Sequence, residues 1–173
     1  MNEVLKTIRD RRSTRGFSDV QLTEEQLQAM IDAAVESPTA RNTQMWHFSF
    51  VQNKAVLDEL RVCMAQQIGK PEYDVFYGAP TVLVVLADKA IRTCVEDASL
   101  VIGNLMNAAF SVGVDSCWIH RAKEEFESDE GKALLASWGI DGDYVGVGHL
   151  ILGYRDGELP VTRPRKETYI YRV

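Results

Sequence analysis

The stretch Thr81-Val82-Leu83-Val84-Val85-Leu86 carries β-branched or aliphatic side chains at every position. A strand alternates its side chains between two faces, so a run with no polar face has to be covered on both. This segment therefore calls for the middle of a sheet with other chain packed on either side. The material is available: 173 residues, 46% hydrophobic and 25% charged, are enough for one domain with a sizeable core. No repeat, low-complexity tract or linker divides the chain, and residues 1–173 are read as a single domain.

The remaining elements follow from periodicity. Val4, Leu5 and Ile8 mark one face of a short opening helix. Thr23-Glu24-Glu25-Gln26 has the form of a capping box, and Leu27, Met30, Ile31, Ala34 and Val35 continue it as a helix that Ser37-Pro38 ends. Trp46 to Val51 reads as a strand, and Val56, Leu57, Leu60 and Met64 as a helix closing near Gly69-Lys70-Pro71. A long, broadly apolar helix spans about Thr93 to Val112, with Ala98, Val101, Ile102, Leu105, Met106, Ala109 and Phe110. Such a helix is buried on more than one side, against this chain or a second copy of it. Asp115 to Ile119 is a short strand, Glu125 to Trp138 one amphipathic helix, and Tyr144 to Leu152 a strand. The end, Thr168 to Val173, alternates like a strand in search of an edge.

Charge and cysteine usage limit the chemistry. A net charge of −6 argues against general nucleic-acid binding, which needs a basic excess. No apolar run is long enough for a membrane span, and the N-terminus lacks a secretion signal, so a cytoplasmic location is expected. Cys63, Cys94 and Cys117 are widely spaced, with no Cys-x-x-Cys pair or His cluster to make a zinc site; they are read as reduced thiols, at least two in the core. His47, His149, Tyr169 and Tyr171 are read as structural, and Asp97 as a capping or interface residue.

The positive charge is unevenly placed. Arg9, Arg11, Arg12 and Arg15 cluster at one end and Arg163, Arg165 and Lys166 at the other. After the first helix, three guanidinium groups and the Ser13 hydroxyl can converge on one anion, because arginine supplies permanently charged donor forks suited to phosphate. Arg163 and Arg165 project to one side of an extended segment around Pro164 and can complete such a site. Solvated surface charge is the other reading of both clusters. No Gly-x-Gly-x-x-Gly or Gly-x-x-x-x-Gly-Lys loop is present, which argues against Rossmann or P-loop nucleotide binding.

Four spaced motifs resemble a known family. Arg11-Arg12-Ser13-Thr14-Arg15-Gly16-Phe17, Ser37 to Phe48, Gly113 to Ile119 (with the helix from Asn104), and Gly146-Val147-Gly148 through Tyr154 with Arg163-Pro164-Arg165-Lys166 resemble the FMN-dependent nitroreductase superfamily in order along nearly the whole chain. The resemblance implies an α+β fold, with a mainly antiparallel sheet flanked by helices, in an intertwined homodimer whose C-terminal strand crosses to the partner. It implies FMN as bound cofactor, with Arg11, Arg12, Ser13 and Arg15 on the phosphate and the adjoining flavin edge, and Arg163 and Arg165 closing on the phosphate. Pro38, Thr39, Ala40, Asn42 and Gln44 would pack on the ring system and ribityl chain, partly from the partner, and Trp118, Ile119, His120 and Arg121 would lie beside the flavin.

By the same resemblance, NADH or NADPH reduces the flavin, leaves, and is replaced by a small acceptor such as a nitroaromatic or quinone. No side chain then acts as general acid or base. The chain departs from the family at Met45, where a Pro is usual, at Thr39-Ala40, and at His120-Arg121, where many relatives have a small or acidic residue followed by Gly. Two cationic side chains there would favour an anionic reduced flavin or an acidic substrate; the other reading turns both to solvent. Alternatives of another class are a flavin-binding storage module without turnover, or a same-fold enzyme of reductive dehalogenation or flavin breakdown.

Overall fold

The computed structural model describes residues 1–166 and 171–172. Helix α1 (Glu3–Asp10) is followed by α2 (Glu24–Val35), β1 (Trp46–Val51), α3 (Lys54–Gln67), β2 (Thr81–Asp88), α4 (Cys94–Ser111), β3 (Asp115–Ile119), α5 (Ala122–Glu127), α6 (Asp129–Ser137) and β4 (Tyr144–Gly153). The expected capping box forms: the Gln26 amide donates to Thr23 Oγ1, and the Thr23 amide donates to Gln26 Oε1.

The four strands make one antiparallel sheet in the order β1-β2-β4-β3. β2 lies inside it, and every residue from Thr81 to Ala87 is buried. Val82, Val84 and Leu86 face a layer made by α3, α5 and α6, while Leu83, Val85 and Ala87 face α2 and α4. An antiparallel sheet covered on both faces is what the apolar run demands.

Between Val85 and Leu86 the pairing with β4 slips by one residue, opposite Gly146-Val147-Gly148. Both glycines are required by close approach. A Cβ on Gly148 would lie 2.2 Å from Trp118 Nε1, and one on Gly146 would lie 2.2 Å from the Ala122 carbonyl oxygen. They seat the end of β3 and the start of α5 directly on the sheet.

The single helix expected from Glu125 to Trp138 is instead two. Ser128, at φ −72° and ψ 160°, is extended, and its hydroxyl accepts from the Gly131 amide to cap α6. Gly131 permits the sharp junction, because a Cβ there would lie 2.0 Å from the Glu125 carbonyl oxygen. Glu125, expected as the first residue of that helix, is fully buried, with its Oε2 2.8 Å from Nε2 of the equally buried His149. Its partner sits on β4, 24 residues away, where no local pattern reveals it.

Cys63 and Cys117 are buried and Cys94 is half-buried, all as free thiols. The apolar residues of α1 find no core: Val4, Leu5 and Ile8 are all exposed, as are Val95 and Leu100 on α4. One face of α4 is packed in this chain, and its second face is left open among the described residues. The strand expected over Thr168–Val173 lies outside the described residues, apart from Tyr171 and Arg172, which are exposed and irregular.

Candidate anion and cofactor site

After α1 the chain turns at Arg11 and runs beside β3. The Thr14 amide donates to the Ser116 carbonyl at 3.0 Å, and Ser13 bridges Ser116 in a parallel pairing. A clamp centred on the buried Asp115 holds this register: Asp115 accepts from the exposed Arg155 Nη1 at 2.8 and 3.1 Å and from the Thr14 hydroxyl at 3.4 Å. Thr14, Asp115 and Arg155 were not singled out from the sequence. Their importance comes from partners 40 and 101 residues away, which no local pattern reveals.

The segment carries donors without acceptors. Arg11 Nη1 and Arg12 Nε are buried with no hydrogen-bond partner among the described residues. Burial, then the neighbouring Arg12 charge, lowers the Arg11 pKa, while Cys117 opposes them. Two crowded guanidinium groups with idle inward donors are relieved by an anion, so the residues present fit a phosphate. Arg12 also donates to the Arg9 and Arg11 carbonyls, each at 2.6 Å, and to the Thr162 hydroxyl. Thr162 thus brings the 161–166 stretch against the first cluster; Arg163 and Arg165 stand exposed beside that contact.

Pro38, Thr39, Ala40, Asn42 and Gln44 belong to a separate loop with a 3-10 turn at Ala40–Asn42. Asp97, at the start of α4, accepts from the Ala40 amide at 3.1 Å and from the Thr93 hydroxyl at 3.2 Å, so its role is to pin this loop. Asn104 pins its base through Ser37 Oγ at 2.9 Å. Arg41, Asn42 and Gln44 all have φ near +55°, at 56°, 56° and 51°. Such left-handed non-glycine residues cost of order 1–3 kcal/mol each and collect at ligand clamps.

No hydrogen bond or ion pair among the described residues joins this loop to 11–15 or to 118–121. The loop feeds β1, one edge strand, whereas 11–15 flank β3, the other.

The end of β3 forms a third part. Trp118, Ile119, His120 and Arg121 border a pocket of about 260 Å³ shared with Arg15, Tyr73 and Tyr77. Trp118 Nε1 is buried over Gly148 without a partner among the described residues, and Arg121 is left-handed at φ 85°, a conformation that glycine would adopt without strain. Arg121 Nη1 reaches Glu124 Oε1 at 3.0 Å, in a pair exposed on both sides. Glu124's carboxyl is held below its ordinary range, first by a backbone hydrogen bond at its own residue, then by Arg121 and His120. Cys117, behind this wall, has its thiol pushed up by burial against the pull of Arg15, Ser13 and Arg11, so it is no ready nucleophile.

His47 is exposed beside the Tyr144 ring, and no group of His, Cys, Asp or Glu among the described residues could hold a metal ion. No described helix is long and apolar enough to cross a membrane. A groove of about 570 Å³ between α3 and α6 contains none of the cationic residues above. Volume alone does not mark the site.

The sequence profile of the nitroreductase family matches residues 8–154. A protein of Archaeoglobus fulgidus described as an NADH dehydrogenase/NAD(P)H nitroreductase is 31% identical over 163 residues, 91% of this chain and 88% of its own. A nitroreductase from Bacteroides fragilis, solved with bound FMN, superimposes with a TM-score of 0.93 at 30% identity, over 100% of both chains. An FMN-dependent nitroreductase from Clostridium difficile gives 0.88 at 26% identity, over 99% of each. With the profile spanning every described motif from Arg11 to Tyr154, this chain belongs to the nitroreductase family.

Proposed function

We propose that the chain binds FMN at a site shared by two copies and uses NADH or NADPH to reduce a small acceptor such as a nitroaromatic or quinone. The observation that carries this reading is the pair of idle, inward guanidinium donors on Arg11 and Arg12, beside β3. Arg11, Arg12 and Ser13 would take the phosphate, with Arg163 and Arg165 closing over it from the stretch that Thr162 anchors. Arg15 and residues 118–121 would meet the flavin edge.

The loop Pro38–Gln44 would cover the ring from the second copy. Strand order supports this division: the loop and the arginine segment flank opposite edges of a four-stranded sheet, roughly 15–20 Å apart at about 4.8 Å per strand. Exposed Val4, Leu5, Ile8, Val95 and Leu100 offer the surface for the second copy, and the C-terminal strand would cross to it.

FMN, when bound, supplies the electron relay. For a nitro group the turnover balances as NAD(P)H, one proton and the nitro compound giving NAD(P)⁺, a nitroso compound and water. The chain's own residues bind, orient and limit water; none stands as a general acid or base.

Purified protein is expected to be yellow, to bleach with NADH or NADPH without oxygen, and to regain colour with an acceptor. Arg11→Ala should weaken FMN binding roughly 10- to 100-fold, as for loss of a hydrogen bond to a charged group worth about 1.5–3 kcal/mol. Fluorescence titration measures it. A colourless protein that gains no thermal stability from FMN overturns the reading, and a yellow one that neither nucleotide bleaches replaces it with storage.

A further inference from the structure

The pocket at the end of β3 has an unusual charge for this chain. The protein carries 25 Asp and Glu against 19 Lys and Arg, yet three cation-capable side chains, Arg15, His120 and Arg121, line the pocket and no carboxylate does. A cleft lined by one sign of charge concentrates the opposite ion.

The polar wall is pre-set. Asp74 accepts from the Phe76 and Gly78 amides at 2.9 and 2.6 Å, which shapes the turn that holds Tyr77 at φ 54°. In that position the Tyr77 ring lies 5.9 Å beneath the Arg15 guanidinium, and its hydroxyl shares a 2.9 Å hydrogen bond with the Tyr73 hydroxyl. The pair uses one of its two hydroxyl protons, so the other is free to donate to a ligand. Among the described residues Arg15 forms no ion pair, and Arg121 is held only by the exposed Glu124, a type of contact worth little in water. Met64, Ile68 and Ile119 add apolar lining to the same pocket.

We infer that this pocket selects an acceptor with a flat apolar body and a carboxylate, the body against Met64, Ile68 and Ile119 and the carboxylate between Tyr77, Arg121 and His120. The inference rests on the flavoenzyme reading above, since it places the acceptor beside residues assigned to the flavin edge. Arg15 stays with the flavin, so the side chains that discriminate are Tyr77, His120 and Arg121.

The test uses FMN-loaded protein and two measurements. Benzoate and benzamide share a ring and differ in charge, and neither carries a nitro group to be reduced; calorimetry is expected to show benzoate binding at least about tenfold tighter, the gain of one charge-assisted contact. Arg121→Gly removes the guanidinium at a left-handed position that glycine favours, so it should fold, and it should abolish most of that preference. Arg121→Lys should restore part of it, and Tyr77→Phe should reduce it without changing benzamide binding.

In turnover, 4-nitrobenzoate should show the lower KM against 4-nitrobenzamide, by a similar factor. Equal affinity for benzoate and benzamide, or a preference intact in Arg121→Gly, overturns the inference whatever the turnover. A benzoate preference in a protein that reduces neither nitro compound leaves the pocket standing and sinks the reductase reading instead.

Discussion

Arg11 and Arg12 are neighbours in sequence, and β3 keeps them neighbours in space, with half-buried guanidinium groups against Cys117. Like charges pressed together in a dry wall are unfavourable until an anion arrives. That chemistry was legible from residue types alone, because four arginines in seven positions stand out in an acidic chain. The roles of Thr14, Asp115 and Arg155 were not, since they are set by partners 40 and 101 residues away. Cys63 shows the same limit. Its thiol is pushed up to about 11 by burial, then by Glu125. A thiol raised in the folded state stays protonated while the unfolded chain ionises, so its contribution to stability is complete below pH 9 and is lost as pH rises towards 11. Thermal melts between pH 8 and 11 should therefore fall less steeply for Cys63→Ser than for the parent, and equal slopes would refute this.

At the scale of elements, the α5–α6 corner matters most, because α5 begins where the pocket wall ends. Glu125 donates its amide to the Arg121 carbonyl at 3.1 Å and presents its carboxylate to His149 on β4, between the rings of Phe76 and Phe126. Together with the tight fits at Gly131 and Gly146, this fixes α5 against the sheet. The 2.8 Å approach of Nε2 to Oε2 lacks hydrogen-bond alignment, so the pair is a poor stabiliser whose halves nevertheless need each other. His149→Leu should cost about 3–5 kcal/mol by stranding a buried carboxylate, whereas the double replacement with Glu125→Leu should regain most of that. Urea unfolding of both variants decides it. The break at Ser128 had a readable signal, a serine followed by Asp129 and Glu130 and then Gly131, the composition of a helix start.

At the scale of the molecule, the arginine segment and the Pro38–Gln44 loop border opposite edge strands, and an amphipathic α1 lies with Val4, Leu5 and Ile8 uncovered. Under the proposed shared site, a second copy would cover the apolar faces and supply the other half of the cofactor site. Leu5→Glu combined with Leu100→Glu should yield a folded monomer by light scattering, with FMN content falling in step. Dimers that persist in this variant, or a parent protein that is monomeric and fully loaded with FMN, would refute the shared site. Sequence by itself determined the first four helices, three of the sheet's four strands to within a residue at each end, the doubly covered centre at β2, and the existence of two cationic clusters. These are properties of short range, written in period, caps and residue type. Only the tertiary structure decided that Ser13 pairs with Ser116, that Thr162 returns to Arg12, that Glu125 is buried, and that the pocket beside Arg121 has no carboxylate. The order of strands and the burial of a charge depend on which distant surfaces pack together, and local pattern carries no record of that choice.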